Sequence, residues 1–133
     1  MEMMKVVLVE PLQNPRVIEF PHTLENMQKL VGGHIEAVYP YDDPVGVIVN
    51  EEGKLEGLPP NRVLMDDEGN PYDILCGTFF ICGLGDTNFA SISDELAEKY
   101  IEKFYWPEAF MGTDDGHIMW FKIMPGKSPV KII

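Results

Sequence analysis

Between Leu24 and Val31 the apolar positions Leu24, Met27, Leu30 and Val31 fall at i, i+3, i+6 and i+7. That spacing gives one apolar face on an amphipathic helix. Thr23 stands before it as N-cap, because its hydroxyl can accept a free first-turn N–H. Gly32-Gly33 ends it, since glycine adopts the left-handed C-cap conformation at no steric cost. A second stripe runs through Leu96, Ala97, Tyr100, Ile101 and Phe104, with Glu98, Lys99, Glu102 and Lys103 outside it. Ser93 is its N-cap, and Asp94 and Glu95 complement its dipole. Glu95 and Lys99 stand at i,i+4, within ion-pair reach. Tyr105-Trp106-Pro107 ends this helix, and both stripes read as core-facing.

The rest of the chain alternates with period two or is continuously apolar and β-branched, which predicts strands. Met4 to Glu10 is a Val-rich strand, Pro11 to Pro15 a turn, and Arg16 to Phe20 a strand pairing back. His34 to Tyr39 is a strand with Ile35 and Ala37 on one side and Glu36 and Val38 on the other. Pro40 to Pro44 turns the chain, because both prolines fix φ and remove a donor. Val45 to Val49 reads as a buried strand, and Asn50-Glu51-Glu52-Gly53 turns again. Gly57 to Pro60 cannot continue a regular element, so GKLEGLPPNR is expected to be an ordered loop. Met65 to Pro71 is a solvated hairpin turn. Tyr72 to Cys82 is the most apolar strand region, in which Gly77 marks a bulge or a close backbone approach. Gly83-Leu84-Gly85 is expected as a turn and Glu108 to Gly116 as a loop. His117 to Met124 is the last strand, with Met119 and Trp120 on opposite faces. The basic tail PGKSPVKII is expected to be loose, an edge strand or an oligomer contact.

These elements predict an α+β fold: a mainly antiparallel sheet of about six strands with two helices packed on it. At 133 residues the chain is expected to form a single domain, 1–133. No apolar run approaches the roughly 20 residues that cross a bilayer, and the N-terminal run is too short for a secretory signal. A cytoplasmic protein without membrane contact is expected. Cys76 and Cys82 are six positions apart, roughly 20 Å on a straight strand, too far for a disulfide. They read as buried free thiols of a reducing compartment.

Chemistry-bearing motifs are few. Counted as a calcium loop from Asp66, the sixth position is Pro71 and the twelfth Gly77, where glycine and an acid are needed. Gly83-Leu84-Gly85 lacks the third glycine of a dinucleotide fingerprint, position 88 being Asn. His22, His34 and His117 have no metal-ligand spacing. No serine elbow, P-loop or HExxH pattern is present. The expectation is therefore no cofactor, no metal and no catalytic residue, with enzymatic activity left open and a non-enzymatic role preferred.

Leu30 to Arg62, LVGGHIEAVYPYDDPVGVIVNEEGKLEGLPPNR, is followed at Tyr72 by YDILCGTFFICGLG. This series resembles the family of domain of unknown function 3846. That family's pattern is a helix ending LVGG, a strand, a VNEEGK-type turn, a GLPxNR loop and a G(T/D)FFI-G strand. The resemblance covers about Met4 to Phe104 and leaves 105–133 as a C-terminal extension. It implies a small domain common in phages, plasmids and conjugative elements of gut Firmicutes, often near or fused to antirestriction-type proteins. It implies no known activity.

Charge is the global feature above background: 22 acids against 10 bases, net −12. Asp42 to Asp73 and Asp86 to Asp115 hold most of the acids, while three lysines and no acid follow Gly116. This balance excludes direct binding to nucleic-acid phosphates, which needs basic patches. It serves solubility, or it lets an acidic face mimic nucleic acid in a basic groove of another protein. The leading expectation is an accessory protein of a phage or mobile element that acts by protein–protein contact on an unidentified partner. In its most concrete form it inhibits a host DNA-binding or defence enzyme through Asp42, Asp43, Glu51, Glu52, Asp66, Asp67 and Glu68. The alternative is a small ligand-binding module or enzyme in which the loop presents Lys54, Asn61 and Arg62. A third expectation is a structural module working within larger proteins.

Overall fold

The computed structural model describes residues 2–125. Among them are ten strands and two helices: β1 (Met3–Val9), β2 (Arg16–Pro21), α1 (Leu24–Val31), β3 (Ile35–Val38), β4 (Val45–Asn50), β5 (Pro60–Met65), β6 (Pro71–Cys76), β7 (Phe79–Leu84), β8 (Phe89–Ala90), α2 (Asp94–Lys103), β9 (Glu108–Gly112) and β10 (Ile118–Lys122). Six strands form one antiparallel sheet in the order β2-β1-β7-β4-β3, with β8 added to β7. β5–β6 and β9–β10 are separate antiparallel ribbons. The fold is α+β and mainly antiparallel.

The loose alternation of β1 has a physical cause: both faces of the sheet are covered. Met4, Val6 and Leu8 face α1, together with Phe20, Ile48, Phe80 and the α1 residues Met27 and Val31. Val7 and Val9 face the other way, with Val47, Ile81, Leu64 and Leu75 and the α2 residues Ala97 and Tyr100. A strand buried on both faces carries apolar residues pointing both ways, as β4 and β7 also do. The molecule is thus layered: α1, the sheet, then α2 beside the β5–β6 ribbon.

Both helices carry the expected caps. Thr23 Oγ1 accepts the Asn26 N–H at 3.1 Å and Ser93 Oγ accepts the Leu96 N–H at 3.2 Å, each worth about 1 kcal/mol. Gly32 takes φ +77° and donates its N–H to the Gln28 carbonyl. Lys99 departs from expectation. It turns from Glu95 to Asp43, with Nζ 2.6 Å from Oδ2, and so ties α2 to the β3–β4 turn.

Four expectations are corrected. Residues 60–62, expected as the end of an ordered loop, and Met65, expected in the hairpin turn, belong to the strand β5: Pro60 starts it, where a missing N–H costs least. Residues 72–82 are two strands in different sheets, broken at Gly77-Thr78. Gly77 has φ +84°, a left-handed conformation that favours glycine, and packs against the Leu58 side chain. The two thiols therefore sit in different sheets, Cys82 buried and Cys76 half-buried. Gly83 and Leu84 belong to β7, pairing with Ala90 and Phe89, and the turn begins at Gly85. Finally, Glu108–Gly112 is the strand β9, paired with β10 from Glu108↔Lys122 to Gly112↔Ile118. The expectation for the basic tail, apart from Pro125, lies outside the described residues.

Candidate functional site

The segment from Lys54 to Arg62 contains the first candidate set. Asn61 and Arg62 lie in β5 with no side-chain exposure. Asn61 Nδ2 donates to the carbonyls of Val9, at 3.0 Å, and Gly77, at 2.8 Å. Arg62 reaches Gln13 O at 2.8 Å through Nη2, and Asn61 Oδ1 at 2.8 Å through Nη1. Its Nε and Nη2 both donate to Phe104 O, at 3.3 and 3.0 Å. Phe104 is the C-cap of α2, so the guanidinium neutralises the negative end of that helix. Burial lowers the Arg62 pKa to about 10, and nearby Glu108 opposes the shift. The side chain therefore stays charged at neutral pH.

Lys54 is separate. It is exposed and pairs with Asp73 of β6. The three residues thus do not converge on one cavity: two are interior hydrogen-bond donors and one is a surface ion-pair partner. Asn50, of the same turn region, is also internal. It donates to Val31 O at 3.1 Å and accepts the Glu52 N–H at 2.8 Å, which pins the end of α1 to the end of β4.

The acidic candidates divide into two groups. Asp42 and Asp43 lie in the turn entering β4, and Asp66, Asp67 and Glu68 in the β5–β6 turn. Tertiary folding brings these turns together around adjoining clefts of about 270 and 510 Å³, which share Pro40, Tyr41, Asp67 and Lys103. Glu51 and Glu52 leave the far end of β4. They border a different cleft of about 370 Å³, along with Lys54 and Asp73.

Several of these charges are engaged. Asp43 accepts Lys99 Nζ at 2.6 Å and the Tyr100 hydroxyl at 2.7 Å, which hold its carboxyl below the usual range. Asp66 Oδ1 accepts the N–H groups of Glu68, at 2.9 Å, and Asn70, at 2.8 Å, closing the hairpin turn. Among the described residues, Asp42, Asp67 and Glu68 form no ion pair. Lys103 stacks its ammonium 4.9 Å from the Tyr41 ring centre, beside these acids. Sequence reading missed Tyr41 and Lys103 as parts of this region. Their helix and turn are more than 50 positions apart, and neither carries a motif.

The remaining chemistry is modest. Burial pushes the Cys82 thiol up to about 12 and raises Cys76 as well, so both are protonated at neutral pH. Among the described residues no group of three or more His, Cys, Asp or Glu is placed to hold a metal ion. No helix there is long and apolar enough to cross a membrane.

No curated protein and no solved structure matches the chain. One family model matches, and its residues include α1, β4, the buried Asn61–Arg62 pair and β7. Over residues 4–105, three quarters of its length, the chain belongs to the family described as Domain of unknown function (DUF3846).

Proposed function

We propose that this protein is a non-enzymatic accessory protein that works by protein–protein contact, using an acidic face to engage a basic surface of its partner. The observation that carries the reading is the meeting of the β3–β4 and β5–β6 turns, which sets Asp42 and Asp67 on one cleft, with Glu68 following Asp67 in its turn. Carboxylates gathered on one end of a chain of net charge −12 create a field that attracts basic surfaces over a Debye length, about 8–10 Å in ordinary salt. In its most specific form the face stands in for nucleic-acid phosphates in the groove of a DNA-binding or defence enzyme, as expected of a phage or mobile-element protein. Glu51 and Glu52 would then form a second, separate contact.

The test is capture from bacterial lysate at low and moderate salt, with wild type and a variant carrying Asp42→Asn, Asp67→Asn and Glu68→Gln. A DNA-binding protein held by the wild type, released by duplex DNA and by salt, and lost in the variant supports the reading. Equal capture by the variant removes it. The ligand-binding alternative on Lys54, Asn61 and Arg62 has no comparable support, because two of the three side chains are consumed inside the fold.

A further inference from the structure

The main sheet ends at β3, the last strand in the order β2-β1-β7-β4-β3. The register fixes which of its backbone groups face outward. The Glu51 N–H donates to His34 O at 2.8 Å, so residues 34 and 51 form a hydrogen-bonded pair. Bonded and non-bonded pairs alternate along an antiparallel ladder. Glu36 and Val38 are therefore bonded to Val49 and Val47, while Ile35 and Ala37 point their N–H and C=O groups away from β4. Asn50 agrees with this: it stands opposite Ile35, and its carbonyl accepts the Gly53 N–H instead. Among the described residues nothing bonds these outward groups of Ile35 and Ala37. Such an edge is a template for an added strand. At the opposite edge of the sheet, β2 ends in Pro21, which lacks the donor that such pairing uses.

Charge selects the occupant. Glu36 lies between the two outward-facing residues and is exposed. It borders the cleft of about 370 Å³ together with Glu51 and Glu52. Among the described residues none of these three carboxylates forms an ion pair. A second copy of the chain is a poor occupant. The antiparallel register that pairs Ile35 of each copy with Ala37 of the other sets Glu36 directly against its own counterpart, and like charges so placed repel. A lysine or arginine there turns the repulsion into an opposite-charge cross-strand pair. On the other face, Ile35 and Ala37 pack against the apolar cluster under α1, so apolar neighbours on an added strand extend that cluster.

We infer that the outer edge of β3 takes up an extended partner segment as an added antiparallel strand, with lysine or arginine opposite Glu36 and apolar residues on either side of it. The next basic residue of the alternation stands opposite His34, on the side of Glu51, which pairs with His34 from β4. Main-chain bonds to Ile35 and Ala37 supply affinity, and Glu36 supplies the selection. This goes beyond the function proposed above and does not depend on it, because Asp42 and Asp67 border other clefts.

The probe is fluorescein-labelled Val-Lys-Val-Lys-Val amide, with binding to the full chain read from anisotropy. The expected result is saturable binding, at least about tenfold tighter than that of Val-Glu-Val-Glu-Val. Methylating the backbone nitrogens of the valines, which face β3, should weaken it by a similar factor. Methylating those of the lysines, which point away, should leave it in place. Glu36→Lys, at an exposed position, should weaken the lysine peptide about tenfold and strengthen the glutamate peptide. Absence of saturation at millimolar peptide, equal binding of the valine-methylated peptide, or unchanged affinity in Glu36→Lys would overturn the inference. So would a dimer in sedimentation that the peptide dissociates, because a second copy would then own the edge. The Asp42→Asn, Asp67→Asn, Glu68→Gln variant should bind the peptide like wild type, which separates this edge from the acidic face; loss of binding there would count against β3.

Discussion

Arg62 holds the Phe104 carbonyl with two of its nitrogens, 3.3 and 3.0 Å away, and so fastens β5 to the C-terminal end of α2. The same guanidinium reaches the β1–β2 loop at Gln13. Three segments far apart in sequence meet on one buried cation. Arg62→Ala strips their carbonyls of donors inside the protein, where unpaired polar groups are costly. The expected loss is roughly 3–5 kcal/mol, the scale for breaking a buried charged network. Arg62→Lys should recover only part, because an ammonium cannot serve carbonyls in a planar fork. Urea unfolding monitored by circular dichroism measures both, and a loss below about 1 kcal/mol for the alanine variant would contradict this role.

Asp43 gives a pH prediction. Hydrogen bonds from Lys99 and Tyr100 lower its pKa in the folded protein. Between that value and the ordinary carboxylate range, near 3.9, the unfolded chain binds more protons than the folded one. The stability contributed by Asp43 is therefore complete above that range and lost as pH falls through the folded value. Asp43→Asn should lower Tm at pH 7, and the gap to wild type should close on acidification. A gap that is constant down to pH 2 would rule out this linkage.

Glu108 has the opposite sign. Burial raises its pKa, against the Val63 N–H and the charge of Arg62. The folded state then holds a proton that the unfolded chain has released, so this group's contribution falls as pH rises from about 4.3 through the folded pKa. Glu108→Gln keeps an acceptor for Val63 and removes the titration. Its stability curve should lack the decline that wild type shows across this window, with Tm against pH as the measurement.

Cys82 lies in β7 with no exposure and its thiol pushed up to about 12. An aromatic disulfide reagent at pH 8 should leave it unmodified in the folded protein, while half-buried Cys76 reacts slowly. Both should react at once in denaturant. Rapid modification of two thiols in native conditions would show that β7 opens far more readily than its central place in the sheet implies.

The helices were legible because their signals are local. Thr23, Gly32 and Ser93 act within three or four residues of themselves, and each cap is where the pattern puts it. β1 and β4 were legible from β-branched content, and β7 in part from its apolar run, its last two residues having read as a turn. β5 was not. Its Pro-Pro start and its Asn-Arg pair look like an exposed loop, and only tertiary contacts make their burial tolerable, Asn61 with Val9 and Gly77 and Arg62 with Gln13 and Phe104. β9 was hidden in the same way, since its weak alternation gains meaning only from pairing with β10.

Fold class, both helices and the acidic balance were readable along the chain, because they depend on composition and on periods of a few residues, and the family was readable from its series of motifs. The tertiary structure decided which polar residues are structural and which are presented. Asn61 and Arg62 went inward, Asp42 and Asp67 were brought to one cleft, and Glu51 and Glu52 were sent to the other end of β4. The physical reason is that burial and charge convergence are sums over segments distant in the chain, and no local pattern records which distant carbonyl will accept a given donor.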